Sequence, residues 1–217
     1  MQTRALALAF GLILALTSAG SASTILFDFD NCTPNDILYH STPLDQTCSG
    51  VLGHISSTTD GQYNGGFSVQ NDSTTGWHLS LFSANYLMPD SLTPGRLDVS
   101  FSQNMTSIAF PFATADFHQN EIPTTIQLDV YLSNSLVGSV QAHGEYGTDT
   151  MPMGTISFSG ATFDRIEVWI PWQPLGTSDF LVDSLAVTPD VPEPTTLALM
   201  GGGGLSLLPF LRKRFGK

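Results

Sequence analysis

Thr124-Thr125-Ile126-Gln127-Leu128-Asp129-Val130-Tyr131-Leu132 is the stretch that decides the fold class. Ile126, Leu128, Val130 and Leu132 alternate with Gln127, Asp129 and Tyr131. A period of two belongs to a strand with one face on a core and the other toward water. A helix would repeat its apolar residues at three and four. Ser133-Asn134-Ser135 then read as a turn. Leu136 to Ala142 return to strand composition, so the whole stretch reads as a hairpin.

The same alternation appears on both sides of it. Arg96 to Phe101 sets Leu97, Val99 and Phe101 against Arg96, Asp98 and Ser100. Phe163 to Ile170 sets Ile166, Val168 and Ile170 against Arg165, Glu167 and Trp169. Thr24 to Asp30 opens the body with Phe27 and Phe29 on one face and Leu26, Asp28 and Asp30 on the other. Val51 to Ser57, Phe67 to Val69, Trp77 to Phe82, Thr155 to Phe158 and Phe180 to Val187 read as further strands. In Ser107 to Ala113, Pro111 lacks an N–H for the ladder, which predicts an edge or a bulge. Asn31 to Gly50, Thr58 to Gly66 and Tyr86 to Gly95 read as connections, with a short strand near Ile37-Leu38-Tyr39. No helix is expected between Thr24 and Asp190. About ten short strands punctuated by turn residues predict an all-β body, a single jelly-roll-like β-sandwich.

Charge narrows the partners. Residues 24–190 hold eighteen Asp and Glu against two basic residues, Arg96 and Arg165, and no lysine. Such a body repels nucleic acid and anionic lipid, and leaves cations and neutral glycans as ligands. Its two cysteines, Cys32 and Cys48, form an even pair. Outside the cytoplasm that favours a disulfide, contributing about 3 kcal/mol through loop closure.

The two ends are not body. Residues 1–23 have the order of a secretory signal peptide: Arg4, the apolar run Ala5 to Leu16, then Ala19-Gly20-Ser21-Ala22-Ser23, with cleavage expected after Ala22 or Ser23. Residues 24–190 are the sandwich domain. Residues 191–217 fall into three parts: Val191-Pro192-Glu193-Pro194-Thr195-Thr196, the uncharged run Leu197 to Leu211, and the basic end Arg212-Lys213-Arg214 with Lys217. The run would measure roughly 22 Å as a helix, short against a hydrocarbon core of about 30 Å. Local thinning would let it cross, with the basic end cytoplasmic.

That order of motif, apolar run and basic end resembles the PEP-CTERM sorting signal of bacterial exported proteins. Val191, Pro192, Glu193 and Pro194 stand at its signature, and Arg212, Lys213 and Arg214 at its basic end. Thr195 departs from the serine often found there. The resemblance is confined to the tail. It implies a transient membrane anchor, recognition by an exosortase-type membrane protease, and a Gram-negative host that makes exopolysaccharide. The chain would pass through an inner-membrane-anchored intermediate to the cell surface or extracellular matrix.

No catalytic motif stands in the chain: no Gly-x-Ser-x-Gly, no His-Glu-x-x-His and no phosphate-binding loop. The reading is non-enzymatic, and no cofactor motif is present. Two constellations remain. Asp28 and Asp30 on the first strand with Asp183 on the last could offer oxygens to a structural Ca²⁺ if those strands are neighbours. Trp169, Trp172, Tyr131 and Trp77 could stack on sugar rings, since Trp169 and Tyr131 fall on the polar phase of their strands. The body is thus expected to be a structural or adhesive surface protein associated with exopolysaccharide, or a carbohydrate-binding module.

Overall fold

Two long strands carry the architecture, and their length comes from segments that the sequence reading keeps apart. In a computed structural model, which describes residues 22–38, 40–58, 66–89, 96–116, 125–171 and 178–190, the chain runs in the order β1 (Ile25–Phe27), β2 (Ile37–Leu38), β3 (Leu44–Cys48), β4 (Val51–Ser57), β5 (Phe67–Asn71), α1 (Asp72–Thr75), β6 (Asn85–Pro89), β7 (Leu97–Asp116), β8 (Thr125–Leu132), β9 (Ser135–His143), β10 (Met153–Trp169), β11 (Ser178–Val182) and β12 (Leu185–Pro189). Ser23–Asp190 forms one compact unit. Residues 1–21 of the segment read as a signal peptide, and all of the segment read as a sorting tail, including Val191, Pro192, Glu193, Pro194, Arg212, Lys213 and Arg214, lie outside the described residues. Among the described residues no helix is long and apolar enough to cross a membrane.

β7 and β10 pair antiparallel along most of their length, from Met153↔Ala113 to Val168↔Leu97. The other edge of β7 changes partner as it goes. Its first part pairs with β4, its middle with β12 and its last part with β11. Pro111 sits between the stretches bonded to β12 and β11, where its missing N–H leaves no gap in either ladder. It therefore lies within a central strand, not at an edge. The ladder continues through β8 and β9 on one side and through β11, β6, β5 and β2 on the other.

The ladder folds over so that its apolar faces meet. Phe27 of β1 packs on Phe101 of β7 with ring centroids 5.8 Å apart, and Phe67 of β5 on Phe180 of β11 at 5.6 Å. Ile126, Leu128, Val130, Ile166 and Val168 join them with no exposed surface, as their period predicts. The body is therefore nearly all β, with two layers around one apolar core. A smaller cluster of Leu79, Tyr86, Met151, Met153 and Leu181 is separate from it.

Several further local expectations need correction. Leu44–Cys48, read as loop, is a strand against β4. Asn85–Pro89, read as connection, is a strand against β5 along its whole length. Trp77 to Phe82 is not a strand. A short helix, α1, stands where none is expected: Asn71 caps it, and Gly76 ends it at φ +74°. The segment after it makes no ladder: Ser80 N donates to Asp149 Oδ1 at 2.7 Å, His78 N to Thr150 Oγ1 at 3.0 Å, and His78 O accepts from Thr150 N at 3.1 Å. The closing strand is broken at Asp183-Ser184, where Ser184 has φ +49°, giving β11 and β12.

Candidate ligand-binding face

The outer phase of β7, β10 and β8 carries the most polar chemistry in the fold. Period-two geometry puts Asp98, Glu167 and Asp129 on the side opposite the core. The ladder then sets them in one row: Glu167 is opposite Asp98 across one strand pair and opposite Asp129 across the next. Ser56 of β4 and Ser139 of β9 end the row. Like charges directly opposed across strands work against pairing, so the row is stable only because its neighbours compensate it.

The compensation comes from the two basic residues of the body. Arg165 donates Nη1 to Asp98 Oδ2 at 2.6 Å, and its Nη2 lies 3.0 Å from Glu167 Oε1. Arg96 Nη1 donates to Glu167 Oε2 at 2.8 Å. Each guanidinium also lies over an aromatic ring: Arg96 over Trp169 at 4.4 Å, and Arg165 over Tyr131 at 4.3 Å. Asp129 is satisfied by neutral donors. Trp169 Nε1 reaches Oδ2 at 2.8 Å, while Gln127 Nε2 and Ser139 Oγ reach Oδ1 at 2.8 and 2.6 Å. Gln141 extends the chain by donating to Gln127 Oε1 at 2.9 Å.

Burial sets the electrostatics. It raises the Asp98 carboxyl above the ordinary aspartate value, Arg165 pulls the other way, and Glu167 adds to the rise. The Tyr131 phenol is also raised, first by burial and then by Glu167 and Asp129. Chemically the face is a closed network of carboxylates, amides and guanidinium groups, with Glu167 and Asp129 buried, and it holds two rings at fixed orientation.

Of the four aromatics proposed for stacking, Trp169 and Tyr131 are thus brought to one face. Trp77 is not. It packs on the small apolar cluster with Leu79 and Tyr86, because the segment carrying it is not a strand. Trp172 lies outside the described residues. Sequence reasoning assigned no role to Asp98, Glu167, Asp129, Arg96 or Arg165. One signal could have found them: both arginines of an otherwise lysine-free acidic body fall on the polar phase of strands.

The expected aspartate cluster is real in part. β1 pairs with β12, as the calcium reading required. Ser83 Oγ bridges Asp30 Oδ1 at 3.2 Å and Asp183 Oδ2 at 2.8 Å, and Ser83 N donates to the same Asp183 oxygen at 2.6 Å. Asp28 is not part of this pair; its backbone carbonyl accepts from Gln46. The loop carbonyls of Phe29, Asp30 and Cys32 accept from Asn85 Nδ2, each at 3.2 Å. Among the described residues no group of three or more His, Cys, Asp or Glu is placed to hold a metal ion. The three-aspartate site is corrected to a hydroxyl-bridged pair.

The disulfide expectation is corrected too. Cys32 and Cys48 are free thiols. Gln46, two residues before Cys48 on the same face of β3, donates Nε2 to Cys32 Sγ at 3.4 Å. The contact made to Cys32 from that face is therefore a hydrogen bond. Burial holds both thiols above their ordinary pKa, with Asp28 adding to it.

No protein-family model and no curated protein matches the chain. Solved structures similar to it include the K2 cleaved adhesin domain of Lys-gingipain, at 11% identity and a TM-score of 0.49, with 76% of this chain and 99% of that one covered. The K1 cleaved adhesin domain from Porphyromonas gingivalis W83 is similar at 10% identity and a TM-score of 0.44, over 78% of this chain and 99% of that one. A low-affinity xylan-binding module from Roseburia intestinalis is similar at 14% identity and a TM-score of 0.31, over 78% and 97%. At these values the chemistry of the face rests on its own residues.

Proposed function

We propose that the body is a non-catalytic carbohydrate-binding module of jelly-roll-like β-sandwich build, and that its ligand is an uncharged glycan lying across β7, β10 and β8. The observation that carries this reading is the opposed carboxylate row Asp98–Glu167–Asp129 set between two arginine-covered rings. A sheet face selected for stability alone would avoid that juxtaposition, and departures of this kind concentrate at functional sites. Sugar C–H faces suit indole and phenol rings. An anionic glycan fits poorly. Both guanidinium groups are already engaged by Asp98 and Glu167, and the body around them is acidic.

Pull-down and titration against the host's exopolysaccharide and a panel of neutral and uronate-bearing polysaccharides test this. Trp169→Ala is expected to weaken neutral-glycan binding roughly tenfold or more, about 1.4 kcal/mol. Circular dichroism should remain unchanged. Unaltered binding in Trp169→Ala and Tyr131→Ala together would overturn the site.

Export and sorting belong to the same proposal and are supported by the order of segments in residues 1–23 and 191–217. The chain is read as a PEP-CTERM protein, handed to an exosortase-type protease at Val191-Pro192-Glu193-Pro194 and released to the surface or matrix. There the module would hold exopolysaccharide.

A further inference from the structure

We propose that Cys32 and Gln46 close into an internal thioester, and that this thioester acylates the lysine side chain of a basic protein partner, joining it to the chain by an amide bond. This rests on a different corner of the body from the glycan face and does not require it.

The pair arises where the chain leaving β1 meets β3. Cys32 lies in a turn after β1, closed by Cys32 N donating to Phe29 O at 2.9 Å. Gln46 is the middle residue of β3. Period two puts it on one phase with Leu44 and Cys48, which pack against the core. A polar residue between two core-facing ones departs from the pattern of its strand, and such departures concentrate at functional sites. Its carboxamide reaches the sulfur: Gln46 Nε2 lies 3.4 Å from Cys32 Sγ. The orientation of the amide is fixed, because the same nitrogen donates to Asp28 O at 2.8 Å. Gln46 Oε1 is then buried, with no hydrogen-bond partner among the described residues.

That orphaned oxygen favours the product. An amide carbonyl is a strong acceptor, and burying it unpaired costs stability. A thioester carbonyl is a weaker acceptor and loses less in the same place. The closing step needs no added reagent. Sγ bonds to Cδ of Gln46, the Cδ–Nε2 bond breaks, and the thiol proton leaves on ammonia. Burial raises the Cys32 thiol above its ordinary value, and the hydrogen bond from Gln46 opposes the rise. Attack is therefore driven by proximity, an intramolecular contact standing in for an encounter. Cys48, two residues beyond Gln46, takes no part.

The nucleophile that opens the thioester comes from outside. Residues 24–190 hold no lysine, so neither the body nor a second copy of it offers a side-chain amine. Asp36, Asp28 and Asp30 lie close enough for their charge to act on Cys32. An acidic field of this kind gathers a basic protein surface. Cys32 and Gln46 are each partly exposed. A lysine is long and flexible enough to reach such a half-buried carbonyl, whereas the amine of an amino sugar is held against its ring. In the transfer Nζ bonds to Cδ, the Cδ–Sγ bond breaks, and an amine proton returns to sulfur. The partner is then held covalently, and Cys32 is a thiol again.

Intact-mass spectrometry of the folded full-length chain reads the closure directly. The wild type is expected to be lighter than its sequence by one ammonia. Methylamine should add at Gln46 and free the Cys32 thiol for alkylation. Cys32→Ala and Gln46→Ala should each keep their sequence mass and take up no methylamine. Cys48→Ala should retain the deficit, which separates closure from a disulfide. A lysine peptide and a glucosamine oligomer are then offered to the wild type, and the peptide should become cross-linked through Gln46. A wild type at its sequence mass, one lighter by two hydrogens only, or a deficit that persists in Cys32→Ala overturns the thioester. Cross-linking of the glucosamine oligomer in place of the peptide, or of neither, overturns the partner.

Discussion

A single methyl group tests the core at Gly53. A Cβ there would sit 2.7 Å from Cε1 of Phe27, a ring with no exposed surface. Gly53→Ala is expected to destabilise the body by about 1–3 kcal/mol through overpacking, read by urea unfolding. Buried acids give the second residue-scale prediction. Burial raises Asp183 and Asp98 above the ordinary aspartate value, with Ser83 and Arg165 opposing it. A carboxyl raised on folding favours the folded state fully below its unfolded pKa of about 3.9, and that contribution is lost as pH rises through the folded value. Their part of the stability should thus grow as pH falls from neutral toward about 4. Asp183→Asn should flatten that limb in melts taken across pH; an unchanged slope would remove Asp183 as its source. The residue scale was the least legible in the sequence. Alternation placed Asp98, Glu167 and Asp129 on an outer phase, but their meeting in one row depends on strand order, which no local pattern encodes.

At the scale of elements, the long strand β10 depends on Gly160. It has φ +108°, and the ladder with β7 changes register between Ser159 and Phe163. A side chain in that backbone region is strained whatever space surrounds it. Gly160→Ala should cost about 1 kcal/mol or more and leave the rest of the ladder intact, as amide exchange would show. The sequence reading found both halves of β10 and both halves of β7, because period two is local. It did not join them, since the alternation lapses between Phe158 and Phe163 in one and between Phe101 and Ser107 in the other. It also missed β6. Pro89 suggested a connection, yet proline at a strand's last position leaves the preceding ladder untouched. Trp77 to Phe82 misled in the opposite direction: its apolar residues serve the small cluster around Leu79 and Tyr86, not a sheet.

For the whole molecule, charge and segment order make the predictions. A neutral ligand on a face whose ion pairs are internal should bind with little dependence on ionic strength, whereas a polyanion would show a steep one. Isothermal titration at low and high salt separates them. Mass spectrometry of the secreted protein should show a chain beginning near Thr24 and ending near Pro194; recovery of Leu197 to Lys217 in the mature product would contradict processing. The reading at this scale comes from the sequence alone, because composition and the order of terminal segments do not depend on how strands pair.

The pairing of β1 with β12 has a mechanical consequence. Ile25 lies opposite Val187, so both ends of the body leave from neighbouring strands. Force drawn through Asp190 enters along β12, whose bonds to β7 and β1 run across the direction of pull and must fail together. Asp190 N donates to Asn104 O at 2.8 Å, adding a clamp at the point of entry. A module tugged by a polymer on its outer face and held from that end would resist as a shear joint, not as a zip.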